Sequence, residues 1–351
     1  MLSHLTMRKI ALAGFGMEGR AAYAYLKDTA ELHVFDETDV DMIGVDAPFH
    51  KGLHIPADFD VVYKTPGIPT KKLILASPHT KITTLMDDVL ASVGSRAVGV
   101  TGTKGKSTVA SLVHHILIKC GKRAVLFGNI GIADMQLVQS ADPDTIFVLE
   151  LSSYQCEHLM HSPHVGVLTN LYQEHLPHHG SFEAYKAAKM NLFAHQGPDD
   201  MFIDGRAVQV DEFFVTKLLG DHNQTNCAIA TLAVAPFGVT EMEARRAIET
   251  FEPIRNENVG TYRGVTFYDD ELATIPEATF ATSASLPRVD TIILGGQDRG
   301  ISFTEAAEKF ATLPISTFII FPDTGAKMVA QVTDKTIVPA ASMEEAVRAA
   351  F

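Results

Sequence analysis

Apolar runs and polar breaks follow one another along this chain in the rhythm of a parallel α/β protein. Residues 10–15 (IALAGF), 31–36 (ELHVFD) and the middle of 58–67 (DFDVVYKTPG) are apolar stretches of strand length, and a glycine turn with a helical segment over 20–26 separates the first two. The rhythm returns at 98–101, 123–128 (RAVLFG), 145–153 (TIFVLELSS) and 164–170 (HVGVLTN). A helix follows the first of these, with Val109, Leu112, Val113, Ile116 and Leu117 on one face. It returns once more at 264–270 (GVTFYDD), 290–296 (DTIILGG) and 316–321 (STFIIF), with helices between and a last helix running to Phe351. Strands alternating with helices in this way predict doubly wound sheets.

The hinge-like stretch 87–97 (DDVLASVGSRA) sets one boundary near Gly94, and 251–260 (FEPIRNENVG) opens a further unit at Phe251. A length of 351 residues with 46% hydrophobic content suffices for several packed cores. The net charge of −13, without a Lys/Arg cluster, argues against nucleic acid as a partner. Cys120, Cys156 and Cys227 are too few and too scattered for a disulfide framework or a zinc knuckle, and each reads as a small buried hydrophobe. No apolar run reaches the about 18 residues of a membrane span, and the first residues lack the apolar core of a secretory signal, so a cytoplasmic protein is expected.

The most informative stretch is 97–108 (AVGVTGTKGKST), an apolar strand that breaks into a glycine loop and then a helix. Gly102 and Gly105 let backbone N–H groups approach phosphate oxygens at a helix N-terminus, with Thr103 and Lys104 between them in the same ATP-binding loop. Lys106 would hold the β- and γ-phosphates of ATP, and Ser107 or Thr108 a magnesium ion. Gly14, Gly16 and Gly19 form a second glycine pattern directly after a strand, and Asp36 closes the next strand. That pattern reads as a nucleotide site, as an NAD site, or as a tight turn with no ligand. The expected architecture is α/β in three domains: Rossmann-like over 1–94, P-loop ATPase-like over 95–250, and Rossmann-like again over 251–351.

Three further groups could carry chemistry. Glu150 ends an apolar strand, where a magnesium ligand opposite a phosphate loop is expected, or else a surface glutamate. His175 opens a loop with His178 and His179, which reads as a solvated cluster, as zinc ligands without the usual spacing, or as one histidine beside a metal-bound triphosphate. Lys189 shares a helix side with Phe182, Tyr185, Leu192 and Phe193. It is either an ordinary snorkelling lysine or a desolvated amine able to capture carbon dioxide as a carbamate.

Taken together, TGTKGKST at 101–108, GNIG at 128–131, LELSSYQ at 149–155, TNLYQEHL at 169–176, YKAAK at 185–189, GDHNQTN at 220–226 and GVTFYDD at 264–270 make a specific set. In order and spacing the chain resembles the ATP-dependent Mur ligases, within them the branch that adds glutamate to UDP-N-acetylmuramoyl-L-alanine. The resemblance implies that the first domain holds the UDP end of the substrate, with Gly14, Gly16, Met17, Glu18 and Gly19 at the phosphates, Asp36 near the uracil, and Pro66 and Gly67 alongside. It implies Lys106 on the ATP phosphates, Ser107 or Thr108 with Glu150 on one magnesium ion, and His175 with carbamylated Lys189 on a second. Asn129, Ser152 and Gln155 would face the muramoyl group, Asn223 the adenine, Arg255 the γ-phosphate, and Asp270 the ATP ribose. The implied reaction is ligation through an acyl phosphate in peptidoglycan precursor synthesis, by a cytoplasmic monomer, with D-glutamate the expected acceptor and L-glutamate the alternative.

The chain departs from the family pattern in four places. Residues 271–275 read ELATI where the D-glutamate enzymes carry SKATN, which leaves Thr274 but puts Leu272 where a cation is expected. Arg299 stands in GGQDRG where those enzymes carry lysine, and both changes are similar to an L-glutamate-adding subgroup; Arg299 could still clamp a carboxylate. The central domain is short between Lys189 and His222, and the sequence stops at Phe351, before a family loop that contacts the acceptor. The missing loop keeps one rival open, a weakened UDP-sugar-binding paralogue, and the shared phosphate loop another, a folylpolyglutamate synthase-like ligase.

Overall fold

The computed structural model describes residues 8–129, 135–252, 257–270, 273, 276–286, 288–298 and 302–351. The chain begins with β1 (Arg8–Ala13), α1 (Met17–Leu26), β2 (Ala30–Asp36), β3 (Phe49–Lys51), β4 (His54–Ile55), β5 (Val61–Lys64), β6 (Ile74–Leu75), β7 (Lys81–Thr83) and α2 (Leu85–Val93). Five strands make a parallel sheet in the order β3-β2-β1-β5-β7, and β4 pairs with β6 apart from it. Successive residues of a strand face opposite sides of a sheet. Accordingly Ile10 and Leu12 enter one apolar cluster while Ala11 and Ala13 enter another.

The segment read as a hinge is for the most part the helix α2. Thr84 caps it by accepting a hydrogen bond from the Asp87 N–H at 3.2 Å. Leu85, Met86, Val89, Leu90 and Val93 are all buried. The two aspartates and the glycine that suggested a hinge lie in its first turn and just past its end.

Next come β8 (Ala97–Thr101), α3 (Lys106–Lys119), β9 (Ala124–Gly128), α4 (Met135–Ser140), β10 (Ile146–Glu150), β11 (Val165–Leu168), α5 (Leu176–His179), α6 (Phe182–Met190) and β12 (Met201–Asp204). A second parallel sheet runs β12-β11-β8-β10-β9. One apolar cluster joins the two sheets, running from Leu12 and Val34 through Val89 and Leu90 to Phe127, Phe147 and Leu192.

After α7 (Asp221–Val234) and α8 (Glu241–Ile248), β13 (Glu257–Tyr262) and β14 (Val265–Asp269) form an antiparallel hairpin. Arg263 and Gly264 both have positive φ at its two-residue turn, the conformation that suits the twist of the flanking strands. The elements α9 (Pro276–Ser285), β15 (Thr291–Gly296), α10 (Thr304–Thr312), β16 (Thr317–Asp323), α11 (Gly325–Met328), β17 (Thr336–Pro339) and α12 (Met343–Ala349) complete the chain. The strands β15-β16-β17 are parallel, over a core that includes Leu294, Phe310 and Phe318. Packing divides the chain into two compact units, 1–171 with 183–208 and 229–244, and 172–182 with 209–228 and 245–351. No helix among the described residues is long and apolar enough to cross a membrane.

Two of the three cysteines are buried, as the sequence suggests, whereas Cys120 at the end of α3 is half-buried. Burial pushes the Cys156 thiol up to about 11 and the Cys227 thiol up to about 12. Thiolate is the reactive form. A disulfide-exchange reagent at pH 8 is therefore expected to titrate Cys120 in the native protein and all three thiols after denaturation; fast native reaction of Cys156 would contradict this burial.

Candidate active site

β8 ends at Thr101, and the loop that follows is held from three sides. Gly102 has φ +142, and a Cβ there would lie 2.0 Å from Thr169 Oγ1, so only glycine fits. Gly105, also at positive φ, caps α3. Thr169 Oγ1 and Asn170 Nδ2 donate to the Lys104 carbonyl at 2.6 and 3.0 Å, and the Lys104 N–H donates to Asn170 Oδ1 at 2.8 Å. Tyr185 Oη and Thr103 Oγ1 are 2.8 Å apart. Lys106 folds back so that Nζ donates to the Thr103 carbonyl at 3.0 Å, while Ser107 and Thr108 are buried in the first turn of α3. A glycine loop leading to a helix N-terminus, with a lysine at its head, is a built anion site.

Glu150 ends β10, paired in register with Val100 of β8, so it stands beside the strand that launches the loop. Its Oε1 accepts from Asn129 Nδ2 at 3.2 Å. Among the described residues, its buried Oε2 has no hydrogen-bond partner. A buried carboxyl oxygen left without a donor is costly unless something else satisfies it. A hard divalent cation, which takes oxygen ligands, fits that oxygen together with the hydroxyls at the start of α3.

Lys189 lies on the buried side of α6, 2% exposed, while Lys186 is exposed. Its amine does not snorkel to water: it donates to the Gly102 carbonyl at 2.7 Å, lies 3.4 Å from Thr101 Oγ1, and sits 4.8 Å from the centre of the Tyr185 ring. A buried cation thus grips the phosphate loop from beneath.

At the other glycine loop, Gly14 has φ +90 and the Gly19 position is blocked by the Gly14 carbonyl, whereas nothing lies near a Cβ at Gly16. Met17 is 84% exposed at the start of α1. Asp36 spends its carboxylate on the chain itself, accepting from the Phe15 N–H at 2.9 Å and from the Thr38 N–H and hydroxyl, each at 3.0 Å. Burial alone would raise this group, but the donors of Thr38 and Phe15 outweigh it and hold it below the usual carboxylate range. An acid held low stabilises the fold above its unfolded value, and that contribution vanishes as pH falls through the folded value. Asp36→Asn is expected to cost about 1 kcal/mol at pH 7 and to flatten the acid limb of stability against pH, as denaturant melts between pH 3 and 7 would reveal.

The 152–158 segment faces the first sheet. Gln155 Oε1 accepts from the Ser152 N–H at 3.0 Å, and its Nε2 donates to Glu18 Oε1 at 2.6 Å. Burial raises the Glu18 carboxyl, against the hydrogen bond from Gln155 and the charge of Lys64. Pro66 is half-buried and Gly67 exposed in the turn beyond β5. Sequence reading missed Lys64 and Glu157, which form an ion pair of 2.9 Å in this region. The available signal was a lysine closing an apolar strand.

In the other unit, His175 has φ +59 at the head of α5, with Nε2 3.7 Å from Glu174 Oε2. Asn223 is buried near the start of α7, donating to the Leu219 carbonyl at 2.7 Å and accepting from Asn226 Nδ2 at 2.8 Å. Asp270 follows β14, its carbonyl accepting from the Ala273 N–H at 2.8 Å. Arg255, Thr274 and Arg299 lie outside the described residues.

Parallel sheets, a phosphate loop and a buried carboxylate at the adjacent strand end define a P-loop nucleotide-binding α/β protein. Residues 100–209 match the Mur ligase middle domain. A UDP-N-acetylmuramoyl-L-alanine--L-glutamate ligase of Salinispora tropica is 34% identical over 94% of this chain and 85% of its own length. A UDP-N-acetylmuramoylalanine--D-glutamate ligase of Oleidesulfovibrio alaskensis is 36% identical over 70% of this chain and 61% of its own. The solved MurF ligase of Thermotoga maritima in complex with ADP superposes with a TM-score of 0.59 at 15% identity, covering 100% of this chain and 92% of that one. The chain belongs to the Mur ligase family.

Proposed function

We propose that this protein is an ATP-dependent ligase that joins glutamate to UDP-N-acetylmuramoyl-L-alanine in peptidoglycan precursor synthesis. The observation that carries the reading is the unpartnered Oε2 of Glu150 beside the phosphate loop. A weakened, merely UDP-sugar-binding paralogue has no use for that costly oxygen next to an intact Lys106. The glycine loop before α1, ahead of the phosphate loop, opposes a folylpolyglutamate synthase-like role. The reading includes the three domains bounded near Gly94 and Phe251, a monomer at work in the cytoplasm, and neither nucleic acid nor membrane as partner.

In this reading the loop N–H groups and Lys106 bind the ATP phosphates, and Lys106 leaves the Thr103 carbonyl to do so. Ser107, Thr108 and Glu150 would hold a magnesium ion, which supplies charge neutralisation at the transferring phosphoryl group when bound. The alanine carboxylate attacks the γ-phosphorus, the bond to the β-γ bridging oxygen breaks, and ADP leaves with that electron pair. The amine of glutamate then attacks the acyl phosphate, phosphate departs, and the amine loses its proton. His175 and a carbamate on Lys189 are proposed for a second ion. Lys189 is desolvated as that modification requires, although its amine must then release the Gly102 carbonyl. Asn129, Ser152 and Gln155 are proposed at the muramoyl group, the Gly14–Gly19 loop with Pro66 and Gly67 at the UDP, and Asn223, Arg255 and Asp270 at ATP.

The acceptor's hand is the finer point. A relative named for L-glutamate is 34% identical over 94% of the chain, where a D-glutamate-named ligase spanning 92% of it is 29% identical, and Leu272 and Arg299 depart from the D-glutamate pattern. Both observations favour L-glutamate over the D-glutamate expected from the family at large. Phosphate release from ATP, measured with UDP-N-acetylmuramoyl-L-alanine and either enantiomer, tests the proposal. Release that needs both substrates is expected, and release indifferent to either would refute it.

A further inference from the structure

Lys64 is a large buried cation for which the reaction above has no use. Its side chain is 0% exposed, and Glu157, its partner at 2.9 Å, is 12% exposed. Such a pair is a poor source of stability, because desolvation offsets most of the attraction. Its placement gives it another use.

On one side, Lys64 closes the turn beyond β5 by donating to the Ile68 carbonyl at 2.8 Å and the Thr65 carbonyl at 3.3 Å. The next residue, Thr65, donates to the Ala13 carbonyl through both its N–H (2.9 Å) and its hydroxyl (3.1 Å), and its hydroxyl occupies the space a Cβ on Gly14 would need. The ammonium is therefore one residue removed from the first glycine loop. On the other side, Glu157 Oε2 also accepts from the Thr70 hydroxyl at 2.9 Å, which itself lies 2.8 Å from His158 Nε2. Glu157 lies two residues beyond Gln155, whose amide reaches Glu18 on α1. Two ties, Lys64 to Glu157 and Glu18 to Gln155, thus bridge the loop at the end of β1 and the turn that follows Glu150.

We propose that the buried Lys64–Glu157 pair is a positioning pair: it sets the span between the Gly14–Gly19 loop and the 152–155 turn, and so the length of sugar nucleotide that reaches from the first loop to the transferring phosphoryl group. This rests on the reading of those two segments as opposite ends of one substrate site. Neither residue touches substrate; each acts through Thr65 or through Gln155 and Ser152. An ion pair suits the task because its reach is fixed by two side-chain lengths, and both ends are locked by further hydrogen bonds.

Calorimetric binding of UDP alone, of UDP-N-acetylmuramoyl-L-alanine and of ADP to the intact protein and to Glu157→Asp tests this. The aspartate keeps the charge and shortens the arm by one methylene. The full sugar nucleotide is expected to lose about tenfold in affinity, with UDP and ADP each within roughly twofold of the starting protein. A second variant, Lys64→Met with Glu157→Gln, removes both charges of the pair together while Glu18 keeps its hydrogen bond from Gln155, so it is expected to fold and to show the same selective loss. Should it not fold, Glu157→Asp decides. Equal binding of all three ligands by Glu157→Asp overturns the proposal, as does a loss shared equally by UDP alone, which would reduce the pair to a prop for the first loop. An intact protein that binds neither UDP nor the full substrate removes the functional reading itself, and this proposal with it.

Discussion

Lys106→Met is expected to reduce substrate-dependent phosphate release by about a thousandfold, about 4 kcal/mol in the activation barrier. The methionine keeps the length and the apolar stem, so α3 and its capping glycine are undisturbed. What disappears is one positive charge at the head of a helix that is anchored by the buried Val109, Leu112, Val113, Ile116 and Leu117. Its Nζ donates to the Thr103 carbonyl at 3.0 Å, a neutral main-chain acceptor. Thermal melts of the variant without nucleotide should therefore match those of the parent within about 1 kcal/mol. Turnover within a factor of a few of the parent would remove the phosphate loop from the mechanism.

Glu150→Gln is expected to separate function from stability in the opposite sense. The amide retains the shape and can still accept from Asn129, but it no longer places an ionisable group in a site that leaves Oε2 without a donor. A buried neutral group without a partner costs less than a buried charge. In the absence of divalent cations the variant is expected to melt no lower than the parent, and about 1–2 kcal/mol higher in favourable conditions. In the presence of magnesium and ATP the order reverses: the parent gains more stability by mass action than the variant, which keeps the phosphate loop but lacks the ion's carboxylate. Activity should fall by at least about a hundredfold. Melting curves with and without magnesium and nucleotide, set beside the phosphate-release rates, check both halves. A variant that is both active and stabilised by magnesium would place the ion elsewhere.

Much of this architecture is legible in the bare sequence because it rests on local rules. The phosphate loop is written in glycines that must take positive φ, and Glu150 stands out because a carboxylate at the end of IFVLE has no reason to be there on packing grounds alone. Lys189 was legible as a shared helix side, since the spacing to Tyr185 and Leu192 is a property of the helix itself. Where reading failed, the cause was tertiary. The stretch 87–97 reads as hinge-like, yet as far as Val93 it belongs to helix α2, whose five buried apolar residues depend on partners far along the chain. β17 was missed since Thr336–Pro339 is short and mostly exposed, and pairing with β16 supplies what its own composition lacks. Lys64 and Glu157 stand far apart in sequence, and no periodicity links a strand end to a turn. That His175 takes a left-handed conformation was equally hidden, as histidine carries no strong signal for it.

The apolar cluster shared by the two sheets has a bearing on how the protein is made. Ile10, Leu12 and Val34 belong to a surface that Phe127, Phe147 and Leu192 complete. A ribosome adding roughly 5–20 residues per second delivers the first five parallel strands several seconds before Leu192 clears the exit tunnel. Over that interval the nascent sheet carries a greasy, unfinished flank, which makes the interval between those two events the time at which a chaperone has most to protect.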